Sequence, residues 1–275
     1  MAFFDSRSIY RDPITITVVA PSGDQFRIAD PHQRGQQSVL LLAEGFDGGE
    51  GKVDHTTHET VTRYGVRRTG FKVPPISGSL KVLVTDDGED LSVAFRRWRA
   101  AWSYTRPGKL KVEWRDGHTS EIEVVLADAD PLPSSFVGLH VMEDQIKWEN
   151  FSGVWTGGVR TYTGNVTVTV PGDLPPKMRL RWDGRSTGFT LPSGLSVSLA
   201  QGPGTRWIDL ERGMQGQVTD ANGNVDSGTW SSLRGVLVGE TLQPHTKNSF
   251  QLGAGLTLEL SLIHISEPTR LGMIS

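Results

Sequence analysis

The sequence predicts a mainly β protein, built as two tandem β-sandwich-like domains, the first carrying one amphipathic α-helix. Three observations predict it. Apolar runs are short and often alternate with polar residues, and 32 glycines and 15 prolines are spread between them rather than gathered in one tract. One stretch alone has convincing helical spacing. Periodicity lapses at residues 151–163 (FSGVWTGGVRTYT), which separates the runs into two groups. A chain of 275 residues is long enough for two ordinary domains with sizeable cores.

Residues 14–19 (ITITVV) alternate as a first strand, and Pro21-Ser22-Gly23-Asp24 turns the chain. Residues 38–43 (SVLLLA) are apolar on both faces, as in a strand buried between layers. Residues 45–54 (GFDGGEGKVD) read as a loop, with four glycines permitting unusual backbone angles. Alternation returns at 60–66, and 80–84 (LKVLV) is a strand that leads into the helix.

The helix spans about 89–104. Leu91, Phe95, Trp98 and Trp102 fall at steps of four, three and four, so they share one packing face. Arg96, Arg97 and Arg99 project elsewhere, towards water or a partner, and Arg106 lies just past the far end. Asp86, Asp87, Glu89 and Asp90 crowd the N-terminus, where the helix dipole favours negative charge. Pro107-Gly108 stops the helix. Residues 110–114 and 122–126 then flank Asp116-Gly117 as a hairpin, and 136–141 and 145–149 are further strands.

The expected organisation is a first domain over 1–150, a linker over 151–163 and a second β-sandwich over 164–259. Strands in the second domain are expected at 166–170, 179–182, 195–199, 207–210, 216–219, 236–238 and 256–260. Turns are marked by Asn222-Gly223 and Asp226-Ser227-Gly228.

The net charge of −3 has both signs mixed throughout, so no broad basic field exists to hold nucleic acid. Cysteine is absent, which removes disulfides, zinc-thiolate sites and thiol catalysis together and fits a reducing cytoplasm. No stretch approaches the ~18 consecutive apolar residues of a spanning helix, and the first residues lack a signal-peptide pattern. Membrane insertion is therefore not expected. His55 and His58 tempt as a metal pair, but in a strand they would point to opposite faces, and no metal or cofactor is assigned. No G-x-S-x-G elbow, phosphate loop or distinctive carboxylate pair is present, so no catalytic residue is named. Trp155, Trp182, Trp207 and Trp230 serve either as core or, in the alternative reading of a carbohydrate-binding or adhesin-like β protein, as stacking platforms for sugars.

Residues 260–275 (LSLIHISEPTRLGMIS) resemble a translated sequencing adapter. Residues 260–270 back-translate without strain into a transposon-end adapter, with a variable index over 271–273. The expectation is that functional weight ends near Glu259; the alternative is a natural apolar last strand.

Taken together, the chain resembles the distal tail protein family of long-tailed, non-contractile bacteriophages, a class of minor tail protein. The likeness is carried by the apolar strand and glycine loop at 39–51, the 64–75 segment before strand 80–84 and the helix. It continues with the Pro107-Gly108-Lys109-Leu110 turn into a hairpin, the 164–180 stretch (GNVTVTVPGDLPPKMRL), Trp207-Ile208-Asp209-Leu210 and the Asn222-Gly223 turn. The family's late proline-glycine-asparagine turn is only loosely echoed at 243–248. The resemblance implies a non-enzymatic virion component of the tail tip or baseplate, made in the cytoplasm of a bacterial host. It also implies a homo-hexameric ring formed by the first domain, joining the tail tube protein to tail-tip and receptor-binding proteins. The second domain would project outward and could meet a host surface glycan. Arg96, Arg97, Arg99 and Arg106 are the expected inter-subunit contacts.

Overall fold

In a computed structural model of the chain, the described residues are 14–30, 38–59, 65–86, 88–114 and 117–265. They form two compact units. The first runs to Thr156 and takes up the chain again at Ile265, and the second is Gly157–His264.

The first unit contains β1 (Thr15–Val19), β2 (Gln25–Ala29), β3 (Val39–Gly48), β4 (Asp54–Glu59), β5 (Val66–Lys72), β6 (Ile76–Thr85), α1 (Leu91–Ala100), β7 (Gly108–Glu113), β8 (Thr119–Ala129) and β9 (Val141–Asn150). Two antiparallel layers run β2-β1-β7-β8 and β3-β6-β9-β8. The long β8 belongs to both. Residues up to Val124 pair with β7, and from Val125 onward they pair with β9, with a register shift between Leu126 and Asp128. A bulge at such a corner lets one strand turn from one layer into the next.

Alternation decides which face is buried. Ile16 and Val18 of β1, Leu80, Val82 and Val84 of β6, Leu110 and Val112 of β7 and Ile146 and Trp148 of β9 all face one core. Helix α1 adds Leu91, Ala94, Phe95 and Trp98 to that core. At about 1.5–3 kcal/mol for each large apolar side chain, this burial is the main force holding the unit together. Gly78 has a specific steric cause: a Cβ there would run into the Trp148 indole and the Asp47 carbonyl.

Strand β3 takes up the first part of the loop expected at 45–54, which is confined to residues 49–53. Pairing with β6 shifts between Leu41 and Phe46, Glu44 adopts φ 57°, and pairing resumes at Phe46↔Leu80 through Gly48↔Gly78. Gly45 and Gly48 sit in a bulged strand that crosses β6 closely, while Gly49 and Gly51 lie in the irregular stretch that follows it. The strand expected at 136–141 is a turn instead, with Leu139 N–H bonded to the Phe136 carbonyl, and β9 begins at Val141. Asp87 and Asp116, both used in the sequence reading, lie outside the described residues.

The segment 151–163 contains a strand, β10 (Trp155–Tyr162), where a linker was expected. Its glycines and threonines hide the alternation, but Trp155 is fully buried and its Nε1 donates to the Gly49 carbonyl at 2.9 Å. The second unit continues with β11 (Asn165–Thr169), β12 (Leu174–Trp182), β13 (Thr187–Thr190), β14 (Ser196–Leu199), β15 (Arg206–Asp209), β16 (Val218–Thr219), α2 (Ser227–Leu233), β17 (Lys247–Leu252) and β18 (Leu256–His264). One sheet orders β16-β15-β12-β18-β10 and the other β11-β17-β13-β14. Their inner faces meet through Met178, Leu180, Trp182, Ile208, Phe250, Leu258 and Leu260.

Three expectations for this unit change. The Asp226-Ser227-Gly228 turn is the N-cap and first turn of α2: the Asp226 carboxylate accepts from Thr229 N–H at 3.0 Å. Residues 236–238 form no strand. Strand β18 runs five residues beyond Glu259, with Leu260 and Leu262 buried and Ile263 paired to Leu174. Residues 260–264 are thus part of the second core, because their alternation continues that of 256–259. Residues 266–275 of the adapter-like stretch lie outside the described residues.

Candidate interaction surfaces

The helix is shorter than 89–104. Asp90 caps it by accepting from Ser92 N–H at 2.7 Å, and hydrogen bonding from the Ser92 side chain, then from its backbone, holds the carboxyl below its ordinary pKa; Ala101 ends the helix. Leu91, Phe95 and Trp98 are buried on one stripe. Trp102 lies past the helix yet remains buried, its ring edge-on to Trp98 with centroids 5.4 Å apart.

The arginines do not share one environment. Arg99 is not on a solvent face: its side chain is 16% exposed, and its guanidinium holds Asp144 of β9 and donates to the Asp130 carbonyl at 2.7 Å. It also lies over the Phe95 ring at 5.2 Å. Arg99, expected to face a neighbouring subunit, thus finds partners within its own unit. A helix residue one position beyond the apolar stripe still reaches the core edge, and there a buried carboxylate is waiting for it. Asp144 also accepts from Trp98 Nε1 at 2.9 Å, yet burial outweighs both partners and raises its pKa. Arg97 reaches Glu89 at 2.6 Å and Ser38 at 3.1 Å, and stands 6.0 Å over Phe26. Arg96 and Arg106 are exposed. Arg96 donates from Nε to the Ser92 carbonyl.

The most exposed element is the β4–β5 ribbon. All six residues of β4 are exposed, as are Val66, Arg67, Arg68, Thr69, Phe71 and Lys72 of β5. Register places Asp54 opposite Lys72 and His58 opposite Arg67, and Arg68 stacks over Phe71 at 5.4 Å. His55 and His58 belong to this ribbon, and no group of three or more metal-ligating side chains occurs among the described residues. A two-stranded ribbon with no buried face is marginal in water alone.

Of the four tryptophans offered as sugar platforms, Trp155 and Trp182 are core residues. Trp207 and Trp230 are half-buried, and Arg234 stacks 4.5 Å over Trp230. No helix among the described residues is long and apolar enough to cross a membrane.

The chain aligns with a solved structure almost end to end. SPP1 Dit (gp 19.1), described as a paradigm of the hub adsorption apparatus in phages infecting Gram-positive bacteria, aligns with TM-score 0.57. The alignment has 11% identity and covers 91% of this chain and 98% of that one. This chain shares the fold of that hub protein. The baseplate of phage P2 in its activated conformation aligns over 91% of this chain and 98% of the other, at 7% identity and TM-score 0.48. No family model matches the sequence, and no curated protein matches it.

The missed residue was Asp144, and the available signal was an acidic residue among alternating apolar ones in β9, at the position where Ile146 and Trp148 mark the inward face.

Proposed function

We propose that this protein is a structural component of a phage tail tip, a distal tail hub that links the tail tube to the host-recognition apparatus. The observation that carries the reading is the correspondence of fold with the SPP1 hub protein across nearly the whole of both chains. In this reading the first unit assembles into a homo-hexameric ring, with tail tube protein on one side and tail-tip or receptor-binding proteins on the other. The protein works by assembly rather than by catalysis. The exposed β4–β5 ribbon supports it, since such a ribbon gains stability when another chain covers it. Arg96 and Arg106 stay exposed for subunit contacts.

The test is the solution mass of the full chain by light scattering on a sizing column, with rings sought by negative-stain microscopy. A hexamer, or smaller species that form rings on concentration, is expected. Exchanging Arg67 and Arg68 for glutamate should dissolve the ring without changing the melting temperature of the subunit. A strict monomer at all concentrations, alone and with tail tube protein added, overturns the reading.

A further inference from the structure

The free sheet edges among the described residues are guarded, with one exception. A bare strand edge offers unpaired N–H and C=O groups to any other chain, and natural sheets blunt it with charge, bulges or brevity. Strand β2 breaks register with β1 and carries Arg27. Strand β3 is bulged between Leu41 and Phe46. The β4–β5 ribbon has Asp54, Glu59, Arg67, Arg68 and Lys72 along its edges. Strands β14 and β16 last four and two residues. Strand β11 has none of these devices. It ends the β11-β17-β13-β14 sheet, its sequence NVTVT is β-branched at four of five positions, and it pairs one-to-one with β17 throughout.

The phase of that pairing decides which groups are free. Leu252 N–H donates to the Gly164 carbonyl, and alternate residues of an antiparallel strand point to opposite neighbours. Val166 and Val168 therefore bond to β17, while the N–H and C=O groups of Asn165, Thr167 and Thr169 point away from it. No hydrogen bond among the described residues uses those groups, and all three residues are exposed. Side chains alternate between the sheet's two faces. Val168 is buried in the second core, and Val166 is half-buried at its rim. Thr167 stands outward with its hydroxyl 2.9 Å from that of Ser249. Residues 163–172 carry no charge, and Lys247 is the only charged residue of β17.

We infer that β11 receives an extended, uncharged segment of a partner protein as an added strand of this sheet. Length selects the occupant. Five residues span about 17 Å, an edge too short to supply the roughly 1,200 Å² that a stable dimer of two whole chains buries. It is the right length for a peptide strand held by main-chain hydrogen bonds. Charge selects the composition, because an uncharged edge gives a charged segment no counter-ion in return for its lost hydration. Inward side chains of the segment are apolar, since they extend the core past Val166. Outward ones are small and polar, continuing the row of Asn165, Thr167 and Thr169. The site needs the second unit alone, so it stands or falls separately from ring assembly.

The experiment titrates the full chain into a fluorescein-labelled peptide, Glu-Thr-Val-Thr-Val-Thr-Lys, and follows fluorescence anisotropy. Saturable binding is expected. With its valines inward the peptide turns its threonine amides to β11, so N-methylation of those amides should abolish binding and N-methylation of the valine amides should not. Thr167→Pro removes a free N–H and no bond within the chain. It should weaken binding about tenfold or more with an unchanged melting curve, and Thr167→Lys, which charges the edge, should do the same. Thr167→Val keeps the N–H and should bind as the unsubstituted chain does. No binding up to millimolar protein, binding that survives both Thr167→Pro and Thr167→Lys, or loss on valine rather than threonine methylation would each overturn the inference. So would a doubling of the chain's mass that Thr167→Lys reverses, because a second copy would then hold the edge.

Discussion

The guanidinium of Arg99 and the carboxylate of Asp144 form an ion pair at the edge of the first core, with the Asp144 side chain 1% exposed. The same carboxylate takes the indole N–H of Trp98, so one acid ties two successive residues of the helix to β9. A buried pair of this kind contributes little over an apolar replacement, but breaking it leaves a charge stranded.

Arg99→Met should therefore destabilise the first unit by about 3–5 kcal/mol at neutral pH, read by urea unfolding. The sign with pH follows from burial, which raises the folded-state pKa of Asp144 above the unfolded value. Stability tied to the neutral acid is complete below the ordinary carboxylate range and is lost as pH rises through the folded value. Without Arg99 that pKa climbs further, so the loss in Arg99→Met should shrink on acidification. A loss independent of pH would contradict the assignment.

Asp226 responds in the opposite direction. Hydrogen bonds from Arg206, at 2.8 Å, and from Thr229 lower its pKa from 3.8 to about 2. Its stabilisation is present above the unfolded value and fades as pH falls through the folded one, a window from about 4 to about 2. Asp226→Ala should cost about 1 kcal/mol at pH 7 through loss of the cap on α2, and should flatten the acid limb of the unfolding curve of the second unit.

Gly78→Ala tests the close crossing of β3 and β6. The added methyl would meet the Trp148 indole and the Asp47 carbonyl, and Trp148 is fully buried. A loss of about 1–3 kcal/mol is expected from overpacking, with a changed near-ultraviolet circular dichroism signal from the tryptophan. Gly70→Ala in the ribbon, where nothing lies within 4 Å of the added carbon, is the matched control and should be neutral.

Ending the chain at Glu259 removes Leu260 and Leu262, which are 1% and 2% exposed. At about 1.5–3 kcal/mol for each buried leucine, the second unit should melt markedly earlier than in a chain ending at Ile265. Equal melting of the two chains would show that residues 260–264 add nothing to the core.

What the sequence made legible was local. The steps between Leu91, Phe95, Trp98 and Trp102 mark a helical face without reference to any other element, and alternation in 110–114 and 122–126 marks the two strands of a hairpin. Features that depend on distant partners were not legible. Arg99 reads as a surface cation because Asp144 is 45 residues away. Strand β10 reads as a linker because glycine and threonine carry no hydrophobic period, and its burial is set by neighbours such as Gly49. Helix α2 is short and polar, so its cap resembles a turn. The face around Trp207 brings together β12, β15 and β18, and only the register shows that Glu259 stands beside Arg179.

The chain enters the second unit along β10 and leaves it along β18, and these strands are hydrogen-bonded neighbours. A module whose entrance and exit lie side by side behaves as a cassette: it can be excised or exchanged while the host's two cut ends keep their spacing. Recombination at residues near 156 and 265 would join a different second unit to an unchanged first unit. The same two positions are where an engineer would splice in a foreign domain.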